Sequence, residues 1–146
     1  MAVDAVFVDT SVLVAASVAV HPGHIGAREG IRALVTSGAA LCISPQVCRE
    51  FLAVLTRQPV SGRAFSVEEA LAALDEWRLG CSLLGEDEDT VAECLRLARA
   101  HGVRGKQVHD CNLVAVMLTH GVLRLLTRNP ADFSRYPGIT VDAVRP

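Results

Sequence analysis

The sequence predicts one α/β domain over residues 1–146, a parallel sheet covered by helices on both faces. Three observations carry that prediction. Short apolar runs alternate with helix-periodic segments from one end to the other, the pattern left by strands joined through helical crossovers. At 146 residues the chain can bury one real core but not two. Apolar residues form 51% of it and aromatic ones only 4%, so the core must be built from Ala, Val and Leu, as in helix-rich α/β proteins.

In chain order, Val3 to Val8 reads as a buried strand. A helix from about Ser11 to Val18 follows, until His21-Pro22-Gly23 breaks it. Ile25 to Val35 repeats apolar residues at helical spacing and ends at Gly38. Leu41 to Ser44 is a short strand, and Pro45 opens the next helix at the first-turn position that tolerates proline. QPVSGRAFS, residues 58 to 66, is the only loop-like insertion of any length. Ser66 and Glu69 form a capping box for a helix reaching about Leu79. Cys81 to Leu84 is another strand, and the acidic run Glu86 to Asp89 starts a helix at its positive dipole end that closes near Gly102. A last helix covers about Val108 to His120 and stops at Gly121. Val122 to Thr127 then reads as a strand, Asn129-Pro130 as a turn and Ile139 to Val144 as an edge strand.

Composition excludes several functions. A formal charge of -2 gives no global attraction to nucleic acid, so a polyanion must be held by a local patch or a bound metal. The cysteines are odd in number, lie inside apolar segments and form no CxxC, which reads as buried thiols in a reducing compartment and argues against zinc and disulfides. Asp4 and Asp9 stand where a secretory signal needs basic residues, and no apolar run is long enough to span a bilayer. The expectation is a cytoplasmic protein.

Function is signalled by acids in apolar company. Asp9 ends the first strand, and Asn129 and Asp132 follow the strand Val122 to Thr127, so both groups open onto one crevice beyond the carboxyl ends of the strands. Asp110 shares a helical face with Leu113, Val114, Met117 and Leu118, the stripe expected to meet the sheet, and Glu50 lies beside Val47, Phe51 and Val54. Grouping ionised carboxylates at a core margin costs several kcal/mol unless protons, arginines or a metal enter. Oxygen ligands without His or Cys favour Mg²⁺ or Mn²⁺, and an acid-rich cleft of that kind suits phosphodiester hydrolysis. Each residue read alone keeps a plainer alternative: Asp9 a helix N-cap, Glu50 a solvated helix acid, Asp110 a helix start, Asn129 a turn residue.

Four segments in order, DTSVL, PQVCREF, VHDCNLVAVM and LTRNPADF, resemble the PIN-domain ribonucleases, and most closely the VapC-type toxins of toxin–antitoxin pairs. The resemblance covers the whole chain and implies a parallel sheet of about five strands flanked by helices. It puts Asp9, Glu50 and Asp110 at the three acidic metal-site positions, with Thr10, Ser11 and Thr127 as supporting hydroxyls. The fourth position, often Asp, falls on Asn129, which offers an oxygen but no charge; Asp132 either supplies part of that charge or holds the turn. It further implies Mg²⁺- or Mn²⁺-dependent cleavage of RNA to 5′-phosphate and 3′-hydroxyl ends, a homodimer, and a small cognate antitoxin of the VapB type.

Arg49, Arg104, Lys106 and Arg128 adjoin the acidic motifs and are the expected contacts to RNA phosphates. His109 adjoins Asp110, but helical neighbours point about 100° apart, so it is expected to face away from the metal. Cys111 is expected in the core. A haloacid-dehalogenase-type phosphatase would need a second Asp at the position of Ser11, and a receiver domain would need Lys where Arg128 stands. A degenerate PIN domain that binds RNA or protein without cutting is the remaining alternative, supported by Asn129 alone.

Overall fold

A computed structural model describes residues 4–57 and 62–146. Its strands are β1 (Ala5–Val8), β2 (Ala40–Ile43), β3 (Cys81–Leu83), β4 (Arg124–Thr127) and β5 (Thr140–Ala143). They form one five-stranded sheet in the order β3-β2-β1-β4-β5, with every neighbouring pair parallel. The expected sheet is present. Strand β1 lies at its centre, and Val6, Phe7 and Val8 are fully buried, as an all-apolar strand covered on both faces should be.

Helices α1 (Thr10–Ser17), α2 (His24–Thr36), α3 (Pro45–Thr56), α4 (Val67–Gly80), α5 (Glu88–His101) and α6 (Gln107–Thr119) join the strands, with a short 3₁₀ helix at Pro130–Phe133. The chain winds from β1 outward to β3, then returns to β4 and β5 on the other side of β1. Right-handed crossovers then put α1 to α4 on one face and α5 and α6 on the other. The packing agrees: α1 meets α2 and α3, α3 meets α4, and α5 meets α6. The winding reverses between β1 and β4, and their carboxyl ends leave a crevice at that switch point.

Element boundaries differ from the expected ones by a residue or two, for local reasons. Val3 and residues 58–61 of the expected 58–66 loop lie outside the described residues. Ser44 is the N-cap of α3 rather than the last residue of β2, because its hydroxyl accepts the Val47 N–H at 3.4 Å, while Pro45 takes the first helical position as expected. β4 begins at Arg124; Val122 precedes it but stays in the core at 6% exposure. The turn at Asn129-Pro130 continues as a 3₁₀ helix whose Phe133 is buried and anchors it.

Two helix ends are local chemistry that the sequence spells out. In α4, Ser66 Oγ accepts the Glu69 N–H at 3.1 Å while Glu69 Oε1 accepts the Ser66 N–H at 3.0 Å, the expected reciprocal box. Arg63 clamps the same carboxylate through two hydrogen bonds of 2.8 and 2.9 Å, and its guanidinium, followed by the Ser66 backbone, holds Glu69 down to about 2. Ser66→Ala removes one half of this box and is expected to lower Tm by roughly 3 °C in a thermal melt. In α5, Asp87 caps the N-terminus, and Gly102 closes the helix at φ 60°, a left-handed conformation that favours glycine.

One expectation needs correcting. Helix α6 buries more than a single stripe: Leu113, Val114, Ala115, Val116 and Met117 are all buried, the helix packing against both α5 and the 3₁₀ helix. The expected face of Leu113, Val114 and Met117 is buried, and Asp110 stands at its start, half-buried in the first turn, where α6 emerges at the crevice.

Candidate active site

The crevice at the switch point is a cleft of about 290 Å³. Asp9, Glu50, Asp110, Asn129 and Asp132 all line it, so the structure brings together five residues taken from four separated segments. Thr10, Ser11 and Arg128 line it as well.

Asp9 follows β1 directly. Its backbone N–H continues the sheet ladder to the Leu126 carbonyl at 3.0 Å, which leaves the side chain at the strand end, 8% exposed. It occupies the N-cap position of α1 but makes no capping hydrogen bond. Its Oδ2 instead accepts the Thr127 hydroxyl at 2.8 Å and the Ser11 hydroxyl at 3.0 Å. The plain N-cap reading therefore fails, and the carboxylate is held by hydroxyls from β4 and α1. Burial pushes the Asp9 carboxyl above its ordinary range; these two hydroxyls, and more weakly the nearby Thr10 and Ser11 amides, oppose the rise.

The supporting hydroxyls are themselves fixed. Thr127 is fully buried, and its oxygen also accepts the Asn129 N–H at 3.0 Å. Ser11 Oγ accepts the Arg128 N–H at 3.3 Å. Thr10, by contrast, is 5% exposed with a hydroxyl that has no hydrogen-bond partner among the described residues.

Asp110 is raised to about 6, first by burial and then by the charges of Asp9, Asp132 and Glu50, with His109 opposing. Asp9, Glu50 and Asp132 approach it from the end of β1, from α3 and from the 3₁₀ helix. No Arg or Lys forms an ion pair with Asp9, Glu50, Asp110 or Asp132 among the described residues. Like charge is gathered there without an ion pair to offset it among the described residues.

Glu50 is anchored by residues that the sequence reading missed. Gln46, one turn earlier on α3, donates to Glu50 Oε1 at 2.6 Å and to the His109 carbonyl at 2.8 Å. Asn112 of α6 donates to Gln46 Oε1 at 2.7 Å and to Glu86 Oε1 at 3.0 Å. This amide relay ties α3, on one face, to α6, on the other, where their N-termini meet above the sheet edge. The only local signal was spacing: Gln46 lies at i−4 from Glu50, and Asn112 two residues after Asp110. His109 is exposed, outside the cleft lining, and contributes its backbone carbonyl.

Of the expected phosphate contacts, Arg128 lines the cleft, whereas Arg49, Arg104 and Lys106 are exposed and do not. Arg49 neighbours Glu50 on a helix and so points about 100° away from it; Arg104 and Lys106 lie on the turn before α6. Arg57 and His21 also line the cleft and were not singled out in the sequence. The five thiols are free, with Cys42, Cys94 and Cys111 buried and Cys48 and Cys81 half-buried.

The donor set is made of oxygens, which suits a hard divalent cation better than zinc. Among the described residues no three His, Cys, Asp or Glu side chains already converge as a ready ligand shell.

A family model for the PIN domain matches residues 6–139. Comparison with curated proteins gave no match. Among solved structures the chain is similar to VapBC2 from Rickettsia felis bound to a promoter DNA fragment, at 16% identity and TM-score 0.72, covering 97% of this chain and 99% of that one. It is similar to DNA-bound VapBC from Salmonella typhimurium at 20% identity and TM-score 0.68, covering 94% and 96%. It is also similar to Mycobacterium tuberculosis VapC20, a sarcin-ricin-loop-cleaving toxin, at 23% identity and TM-score 0.63, covering 82% and 86%.

Proposed function

Because this chain belongs to the PIN-domain family, we propose that it is a metal-dependent endoribonuclease and the toxin of a toxin–antitoxin pair. One observation carries the reading: Asp9, Glu50, Asp110 and Asp132, remote in sequence, line one cleft at the topological switch point without a cationic partner among the described residues. RNA as substrate class is supported by the likeness to a toxin that cleaves the sarcin-ricin loop. A VapB-type antitoxin as partner is supported by the likeness to VapBC complexes. The family resemblance suggests a homodimer. No described helix is long and apolar enough to cross a membrane.

In this reading Asp9 and Asp110 hold a Mg²⁺ or Mn²⁺ ion, which when bound acidifies a water and offsets charge on the scissile phosphate. Ser11 and Thr127 keep Asp9 aimed at the cleft. Glu50, oriented by Gln46, accepts a hydrogen bond from the attacking water and so directs its lone pair at phosphorus. The water oxygen bonds to phosphorus as the P–O3′ bond breaks in line with it; the proton the water loses passes to Glu50 and on to solvent, and the departing 3′-oxygen takes one from solvent. The products carry 5′-phosphate and 3′-hydroxyl ends. A non-catalytic scaffold is less well supported, since Asp132 brings a carboxylate to the cleft beside Asn129.

Purified protein incubated with single-stranded RNA is expected to produce 5′-phosphorylated fragments with MgCl₂ or MnCl₂ and none with EDTA. Mg²⁺ is expected to raise Tm in the wild type but not in Asp9→Asn. No cleavage with either metal, together with no Mg²⁺-dependent shift at millimolar concentration, would refute the nuclease reading. Growth arrest on expression of the wild type, absent with Asp110→Asn, tests the toxin assignment; equal growth rejects it.

A further inference from the structure

Arg128 is a cation in an acidic cleft that pairs with none of the acids. It lines the same cleft as Asp9, Glu50, Asp110 and Asp132, yet no acid lies within ion-pair distance of it among the described residues. What holds it is the segment between α1 and α2. A Cβ placed on Gly23 would meet Arg128 Nε at 2.7 Å, Nη2 at 2.8 Å and Cζ at 2.9 Å. The guanidinium therefore fills the space that a side chain at Gly23 would need. Gly23 has φ -89°, which any residue adopts, so the backbone does not require glycine there. The guanidinium does.

His21 forms the other side of the seat. Its Nδ1 accepts the Gly23 N–H at 2.9 Å, so the proton of the neutral ring sits on Nε2. That nitrogen stands 3.5 Å from Arg128 Nη1, where two donors face each other without a hydrogen bond. The imidazole is a wall, not a partner. The guanidinium is thus positioned by shape while its donor capacity remains unspent on protein carboxylates.

We propose that the His21–Gly23 segment is a positioning element that fixes Arg128 as the fork gripping a backbone phosphate of the RNA substrate. The inference rests on the nuclease reading and deepens it. A planar guanidinium matches two phosphate oxygens at once, and one already seated loses little rotamer entropy on binding.

Gly23→Ala is the discriminating variant. It leaves charge and backbone conformation unchanged, and the atoms it meets are the far end of a flexible side chain, so it displaces the fork without unfolding the protein. Binding of a fluorescent single-stranded oligoribonucleotide is measured by anisotropy across a salt series in the non-cleaving Asp110→Asn protein, with and without Gly23→Ala, Arg128→Ala and both. Each single change is expected to weaken binding roughly tenfold or more and to flatten the log–log salt slope by about 0.7, one phosphate contact. Arg128→Lys is expected not to restore it. Gly23→Ala is expected to keep Tm and to have no further effect in the Arg128→Ala background.

Binding by Gly23→Ala equal to the parent, or a loss that persists unchanged once Arg128 is Ala, overturns the proposal. If those results come from a protein whose wild type cleaves RNA with Mg²⁺, only the seat falls. If the wild type neither binds nor cleaves RNA, the nuclease reading falls with it.

Discussion

Asp110→Asn is expected to cut RNA cleavage sharply while making the metal-free protein more stable. The amide keeps the shape of the side chain and removes its charge, so nothing in the packing changes. Loss of an anionic ligand at the reacting centre is expected to lower cleavage about a hundredfold or more. Stability moves the other way because the folded state holds the Asp110 carboxyl at about 6 against an ordinary 3.8, through burial first and the neighbouring acids second.

The pH dependence follows from the sign of that shift. Between 3.8 and about 6 the folded protein binds more protons at Asp110 than the unfolded chain does, so this group's contribution to stability falls as pH rises through that window and its full penalty is present above it. Melts in EDTA are therefore expected to show the wild type gaining stability as pH is lowered from 7 towards 4, through this group, and Asp110→Asn lacking that part of the slope. Since the side chain is half-exposed, solvent screening keeps the effect modest. A metal-free Asp110→Asn protein that melts below the wild type at pH 7 would contradict the account.

Thr127→Val has the opposite signature: less cleavage and less stability together. Valine fills the same space in a fully buried position, but the hydroxyl that donates to Asp9 at 2.8 Å and accepts from the Asn129 N–H at 3.0 Å is gone. A buried carboxylate then lacks a donor and the Asn129 N–H lacks its acceptor. The expected loss is about 2 kcal/mol, roughly 6 °C in Tm, with cleavage about tenfold lower because Asp9 is no longer fixed. Thr127→Ser, which keeps the hydroxyl, is expected to recover most of both. A valine variant as stable and as active as the wild type would show that Asp9 does not depend on this bond.

The contrast between the two variants separates charge from support. Asp110 is a repelled charge that the fold tolerates, and Thr127 is a donor that makes such tolerance possible for Asp9. The same contrast explains which site residues were readable. Asp9, Glu50 and Asp110 stood out because an acid inside an apolar segment breaks a local pattern. Gln46 and Asn112 broke none, since polar amides within helices are ordinary, and nothing along the chain couples residues separated by 66 positions.

Arg128 and Gly23 show the same boundary. Arg128 was visible as a basic residue beside an acidic motif, but so were Arg49, Arg104 and Lys106, and composition ranks none above another. Gly23 read as a helix breaker after Pro22. Its packing role exists only because β4 brings Arg128 over the α1–α2 connection, with His21 and Arg128 107 positions apart.

Alternation of apolar runs, helix caps such as Ser66–Glu69 and Asp87, and the glycine stop at Gly102 arise from interactions spanning a few residues, so the order and type of the elements were set by the sequence by itself. Which side chains meet across the cleft was decided only by the tertiary structure. Strand order, crossover hand and the buried all-round packing of α6 determine those meetings, and they depend on where the whole core closes rather than on any one segment's preference.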